Sequence, residues 1–136
     1  MKKIIILLLL PITIFSQSTN NEINIAVKKH LQILNEYRLE NNASKLKLDE
    51  KLCNLAQKWA KHMYDTDNFV HSNYDYAENI YYTSFVENIA LQSLTGWKNS
   101  PGHNENMLKL HHDVVGIGFY KGYAVQIFDD NFWTLD

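Results

Sequence analysis

The chain has 136 residues, 46% hydrophobic and 21% charged, a globular balance that excludes a disordered or low-complexity polypeptide. Lys and Arg number 13 against 15 Asp and Glu, a net charge of −2, so the basic excess that nucleic-acid binding uses is missing. The length suits one domain, and a single cysteine excludes an internal disulfide.

Met1-Lys2-Lys3 is a short basic start, and Ile4 to Phe15 is apolar apart from Pro11 and Thr13. Ser16-Gln17-Ser18 follows, small and polar. This order is that of a secretory signal peptide over residues 1–16. The apolar run is shorter than the roughly 20 residues a membrane span needs, so a cleaved export signal is expected and no transmembrane segment after it. The expected destination is secreted or periplasmic. Without Lys2 and Lys3 eleven basic residues face fifteen acidic ones, so charge alone gives no attraction to an anionic membrane. Residues 17–22 read as a short leader, and 23–136 as a single domain.

Ile23, Val27, Leu31, Leu34 and Tyr37 fall at steps of three and four, which predicts a helix ending near Asn41-Asn42. Leu46 and Leu48 sit in a connector. Asp49 reads as the N-cap of a second helix, with Leu52, Leu55, Ala56, Trp59 and Met63 on its inner face. Cys53, within that pattern, reads as a small buried residue. Residues 65–83 lack a helical period and read as loop, with an extended piece near Glu78–Tyr82. Ser84 and Glu87 have the spacing of a capping box, which predicts a third helix with Val86, Ile89, Ala90, Ser93 and Trp97 inward. Ser100-Pro101 reads as the cap and first residue of a short fourth helix, to about Leu110. Val114–Tyr120 and Tyr123–Phe128, split by Lys121-Gly122, read as an antiparallel hairpin. The fold class expected from this order is α+β.

No phosphate loop, nucleophile elbow, His-Glu-x-x-His or Cys-x-x-Cys is present. Polar residues gather instead at Phe69-Val70-His71-Ser72, at Tyr76-Ala77-Glu78-Asn79-Ile80 and at Trp97 through Leu108. His103 falls in the first turn of its helix, where the dipole disfavours an imidazolium. His111-His112 read as surface turn residues, since neighbours in a helix or strand do not share a face. His30 and His62 read as core-or-surface positions within helices, and Glu105 as solvated. The tyrosines at 74, 76, 81 and 82 read as sheet packing ahead of a binding wall.

Several of these stretches together resemble the CAP superfamily, the SCP domain of cysteine-rich secretory, venom-antigen and pathogenesis-related proteins, in its bacterial branch. The matching residues are Leu34-Asn35-Glu36-Tyr37-Arg38, Leu52 through Ala60, His71-Ser72, Glu78-Asn79-Ile80, Trp97 through His103 and Val115-Gly116-Ile117-Gly118, over about residues 25–130. The resemblance implies an α-β-α sandwich, with helices on both sides of a small three-stranded antiparallel sheet. It also implies a cleft lined by His71, His103 and Glu78. A second Glu of animal and plant members is replaced by Ser100, and a Gly that usually precedes Glu-Asn-Ile is replaced by Ala77. Ala77 therefore asks for a backbone without positive φ.

Two imidazoles and one carboxylate suit Zn²⁺ or another divalent cation, so His71, Glu78 and His103 are the expected metal ligands. Ser100 joins the cleft as a ligand-binding residue, with its capping role competing for the same oxygen. The expected function is an exported, non-enzymatic binding module and a monomer. Its partner would be an extracellular lipid, polymer or protein, with no nucleic acid. Two alternatives stand beside it: a metal-dependent hydrolase of envelope or host polymers, and a structural domain or lipid binder with a vestigial cleft.

Overall fold

The computed structural model describes residues 12–130, with side-chain surroundings from Asn21 onward. The expected signal peptide therefore lies outside the described residues up to position 11, and the domain's last six residues lie outside as well. Eight elements follow in order: α1 (Ile12–Glu40), β1 (Lys47–Leu48), α2 (Glu50–Thr66), β2 (Ala77–Tyr82), α3 (Ile89–Lys98), α4 (Pro101–Leu108), β3 (Val114–Tyr120) and β4 (Tyr123–Asp129). The first helix begins upstream of Ile23, so the expected leader 17–22 is helical. Its polar sequence holds no Pro or Gly, and polarity alone does not stop a helix. Among the described residues no helix is long and apolar enough to cross a membrane.

The fold is α+β, with helices on both faces of a sheet ordered β1-β3-β4-β2. The expected three strands are the antiparallel set β3-β4-β2; a fourth, β1, pairs parallel to β3 over two residues. So short a strand carries no alternation to read, and Leu46–Leu48 therefore passes for a connector.

Alternation along β3 and β4 divides the core. Val115, Ile117, Phe119, Ala124 and Phe128 meet Leu34, Leu94, Trp97 and Met107 of α1, α3 and α4 on one face. Val114, Val125 and Ile127 meet Leu52, Ala56, Ala60 and Met63 of α2 on the other. Lys121 (φ 47°) and Gly122 (φ 89°) are both left-handed, as a two-residue type I′ hairpin turn requires.

Beyond Leu48 the outer edge of β3 has no strand partner among the described residues, and α2 serves instead. The Gln57 side chain donates to the Phe119 carbonyl (2.8 Å) and accepts from its amide (3.0 Å). Cys53 Sγ accepts from the Ile117 amide at 3.5 Å. Cys53 is half-buried rather than fully enclosed, and burial raises its thiol pKa, which disfavours a nucleophilic thiolate.

Asp49 caps α2 as expected, its carboxylate accepting from the Leu52 amide at 2.8 Å. Asp49→Ala is expected to cost about 1 kcal/mol in urea denaturation; a loss within error of zero would show the cap to be idle. The Ser84–Glu87 capping box does not form. Helix α3 starts at Ile89 behind Asn88, which is left-handed (φ 55°), and Val86 is exposed rather than inward. Gln92 holds this segment instead: it accepts from the Thr83 hydroxyl and donates to the carbonyls of Phe85 and Glu87.

Candidate functional site

Two tethers fix the loop between α2 and β2. The Trp59 indole donates to the Val70 carbonyl at 2.9 Å, and the Asn68 amide to the Met63 carbonyl at 3.2 Å. The loop thereby delivers His71 to Glu78, the second residue of β2. The His71 Nδ1–Glu78 Oε1 distance is 2.7 Å, and the Ser72 amide donates to the same oxygen at 2.9 Å. Glu78 is nearly enclosed, with 7% of its side chain exposed against 56% for His71. Its second oxygen, Oε2, is buried without a hydrogen-bond partner among the described residues. A buried carboxylate oxygen left unpartnered is costly, and Oε2 is the acceptor that a further donor would satisfy. The carboxylate also fixes the His71 ring and leaves Nε2 as the nitrogen available to a ligand.

His103 comes from the first turn of α4, its ring centroid 6.5 Å from that of His71. Its pKa is lowered, first by burial and then by His71 beside it. That keeps the imidazole neutral, as base chemistry or metal binding requires. Donor chemistry thus fits a divalent ion, but His71, Glu78 and His103 do not present ligand atoms all within 4.8 Å of one another.

Ser100 is the N-cap residue of α4, but only its carbonyl serves, accepting from the Asn104 amide at 2.8 Å. Its hydroxyl makes no capping bond, contrary to expectation. It lines a cleft of about 600 Å³ with His103, Phe69, Tyr81, Tyr82 and Tyr123. The tyrosines divide between roles. Tyr74 and Tyr76 pack against the α2-side core, whereas Tyr81 and Tyr82 wall the cleft. Ala77 opens β2 without positive φ, so the usual Gly is not needed there.

Sequence reasoning missed the polar chain beneath the site. Buried His30 pairs Nδ1 with the Ala90 carbonyl (2.9 Å) and Nε2 with Gln126 (2.7 Å). Gln126 Oε1 accepts from Asn79, whose amide also donates to the His103 carbonyl, both at 3.0 Å. Asn106 donates to Asn79 Oδ1 at 3.0 Å. Asn79 is thus the residue that ties His103 to the sheet. Its only sequence signal is a polar residue on the inward phase of a strand, beside Glu78. A second polar anchor is Arg38, wholly buried, which donates to the carbonyls of Ser44, Met107 and Lys109. It pins α1 to the segment that follows α4.

The pattern of the cysteine-rich secretory protein family, CAP, matches residues 31–136. The chain belongs to the CAP family. The chain is 25% identical over 122 residues to the uncharacterized protein YkwD of Bacillus subtilis (strain 168), covering 79% of this chain and 48% of that one. The chain therefore spans about half the length of the curated relative it matches. Among solved structures it is similar to an extracellular SCP-domain protein of Bacillus anthracis, with TM-score 0.72 and 23% identity, over 80% of this chain and 41% of that one. It is also similar to an outer surface protein of Borrelia burgdorferi, with TM-score 0.63 and 19% identity, over 77% of this chain and 92% of that one. A cysteine-rich secretory protein of Staphylococcus aureus gives TM-score 0.58 at 20% identity, over 78% and 38% of the two chains.

Elsewhere in the CAP domain, His111, His112 and Asp130 bring one ligand atom each within 4.8 Å of one another. His111 is exposed as expected, but His112 is buried, at 3% exposure. The rule against adjacent residues sharing a face holds in helices and strands; these two sit in the turn before β3.

Proposed function

We propose that this CAP domain is an exported, non-catalytic binding module. The cleft takes an extracellular ligand whose polar group, or a divalent cation such as Zn²⁺, sits against His71, Glu78 and His103. An apolar body would lie along Phe69, Tyr81, Tyr82 and Tyr123. The observation that carries this reading is the unpartnered, buried Glu78 Oε2: its oxygen neighbour holds His71, whose ring lies 6.5 Å from that of His103, and His103 lines the aromatic cleft. Likeness to extracellular and outer-surface proteins supports the exported setting, secreted or periplasmic, and a monomer suffices for such a site. Glu78→Gln keeps the shape but removes the charge. It is expected to weaken zinc binding ~10–100-fold by calorimetry without altering the melting temperature. Undiminished affinity in that variant would remove Glu78 from the site.

The freed Ser100 hydroxyl, in one cleft with His103, favours a second reading, a hydrolase of envelope or host polymers. Turnover of such polymers that disappears with Ser100→Ala, and with a chelator if the reaction is metal-dependent, would establish it.

A further inference from the structure

We propose that His111, His112 and Asp130 form a second divalent metal site, selective for a borderline transition ion such as Zn²⁺. The site shares no residue with the cleft. Register assembles it: Val114 pairs with Asp129, and the Asp113 amide donates to the Asp129 carbonyl at 3.1 Å. The turn that ends at His112 therefore lies beside the residue that leaves β4, Asp130.

The deciding observation is His112. Its ring stacks on Phe128, with centroids 5.2 Å apart and planes at 14°. Both ring nitrogens are buried, and neither has a hydrogen-bond partner among the described residues. His30 shows how this fold treats a histidine kept for packing: both of its nitrogens are satisfied. A histidine that only packed against Phe128 would serve better as an apolar residue, since a buried lone-pair nitrogen without a partner is costly. A metal bond satisfies one nitrogen of His112, His111 supplies a second imidazole, and Asp130 supplies the anionic oxygen. Water would complete a four-coordinate ion.

Charges around the group shape its preference. Asp130 attracts a cation, while Arg38 and Lys109 oppose one. A site with one carboxylate and two nearby cations is poor for Mg²⁺ or Ca²⁺, which rely on several oxygens. It suits an ion that gains from imidazole.

The test uses the chain carrying His71→Ala and His103→Ala, stripped by chelator and titrated with Zn²⁺ by calorimetry. About one ion per chain is expected. Adding His111→Ala or Asp130→Asn should weaken binding by at least ~10-fold, since even outer partners of a metal ligand are worth that much. His112→Phe keeps the stack on Phe128 and should abolish both binding and the zinc-dependent rise in melting temperature. If the variant fails to fold, the two less buried positions still decide. No uptake by the cleft-silenced chain, or uptake unchanged by His111→Ala and Asp130→Asn, overturns the proposal.

Discussion

Lowering the pH from 7 to 4 is expected to remove about 3 kcal/mol of stability through His30 alone. The ring is wholly buried among Trp97, Phe119 and the Gln126 amide, and burial lowers its pKa from 6.5 to about 4. Between those values the unfolded chain binds a proton that the folded chain refuses. Its contribution is therefore complete above pH 6.5, falls as the pH drops towards 4, and levels off below. The loss corresponds to roughly 10 °C in melting temperature for a domain of this size. Urea denaturation of the parent and His30→Gln at pH 7, 5 and 4 isolates this share from that of the carboxylates. Parallel pH profiles for the two chains would contradict it. The same protonation would break the chain from His30 through Gln126 and Asn79 to His103, so acid should loosen the site before it unfolds the core.

Gly118→Ala is expected to destabilise the fold by about 3 kcal/mol or more. A methyl at Gly118 would strike the backbone of Ala56 and Gln57, and one at Gly116 the backbone of Leu52. Backbone cannot rotate aside as a side chain can. These glycines let α2 lie directly against β3, close enough for Gln57 to complete the strand edge. Gly102→Ala is the control, since a methyl there meets nothing within 4 Å. Thermal melting should separate the two substitutions by about 10 °C or more. Equal stability would show that α2 is free to shift outward.

Helical faces were legible because the period is strong: Leu34 of α1, and Leu52, Ala56 and Met63 of α2, are buried as expected. The hairpin was legible because X-Gly between two β-rich runs names its own turn. Three features were not. The start of α3 depends on left-handed Asn88 and on Gln92 reaching back to its own loop, neither of which is a spacing. The second imidazole pair depends on a strand register that places Asp130 beside a turn eighteen residues earlier in the chain. The Asn79 relay depends on three elements converging on one amide. For the cleft, sequence named His71, Glu78, Ser100 and His103; the fold pairs His71 with Glu78, sets the His103 ring 6.5 Å from that of His71, and lines the cleft with Ser100 and His103 only. It also shows that Ser100 is spared from capping and that Glu78 holds His71 in place.

The central claim, a cleft that binds through His71, Glu78 and His103, is tested most directly by calorimetric zinc titration of the chain carrying both His111→Ala and Asp130→Asn, which leaves the second group a single ligand. Saturation near one ion per chain, lost when His71→Ala and His103→Ala are added, is the predicted result. Absence of uptake, or uptake indifferent to both histidines, would contradict the claim and leave His71 and Glu78 as a clamp for the loop before β2.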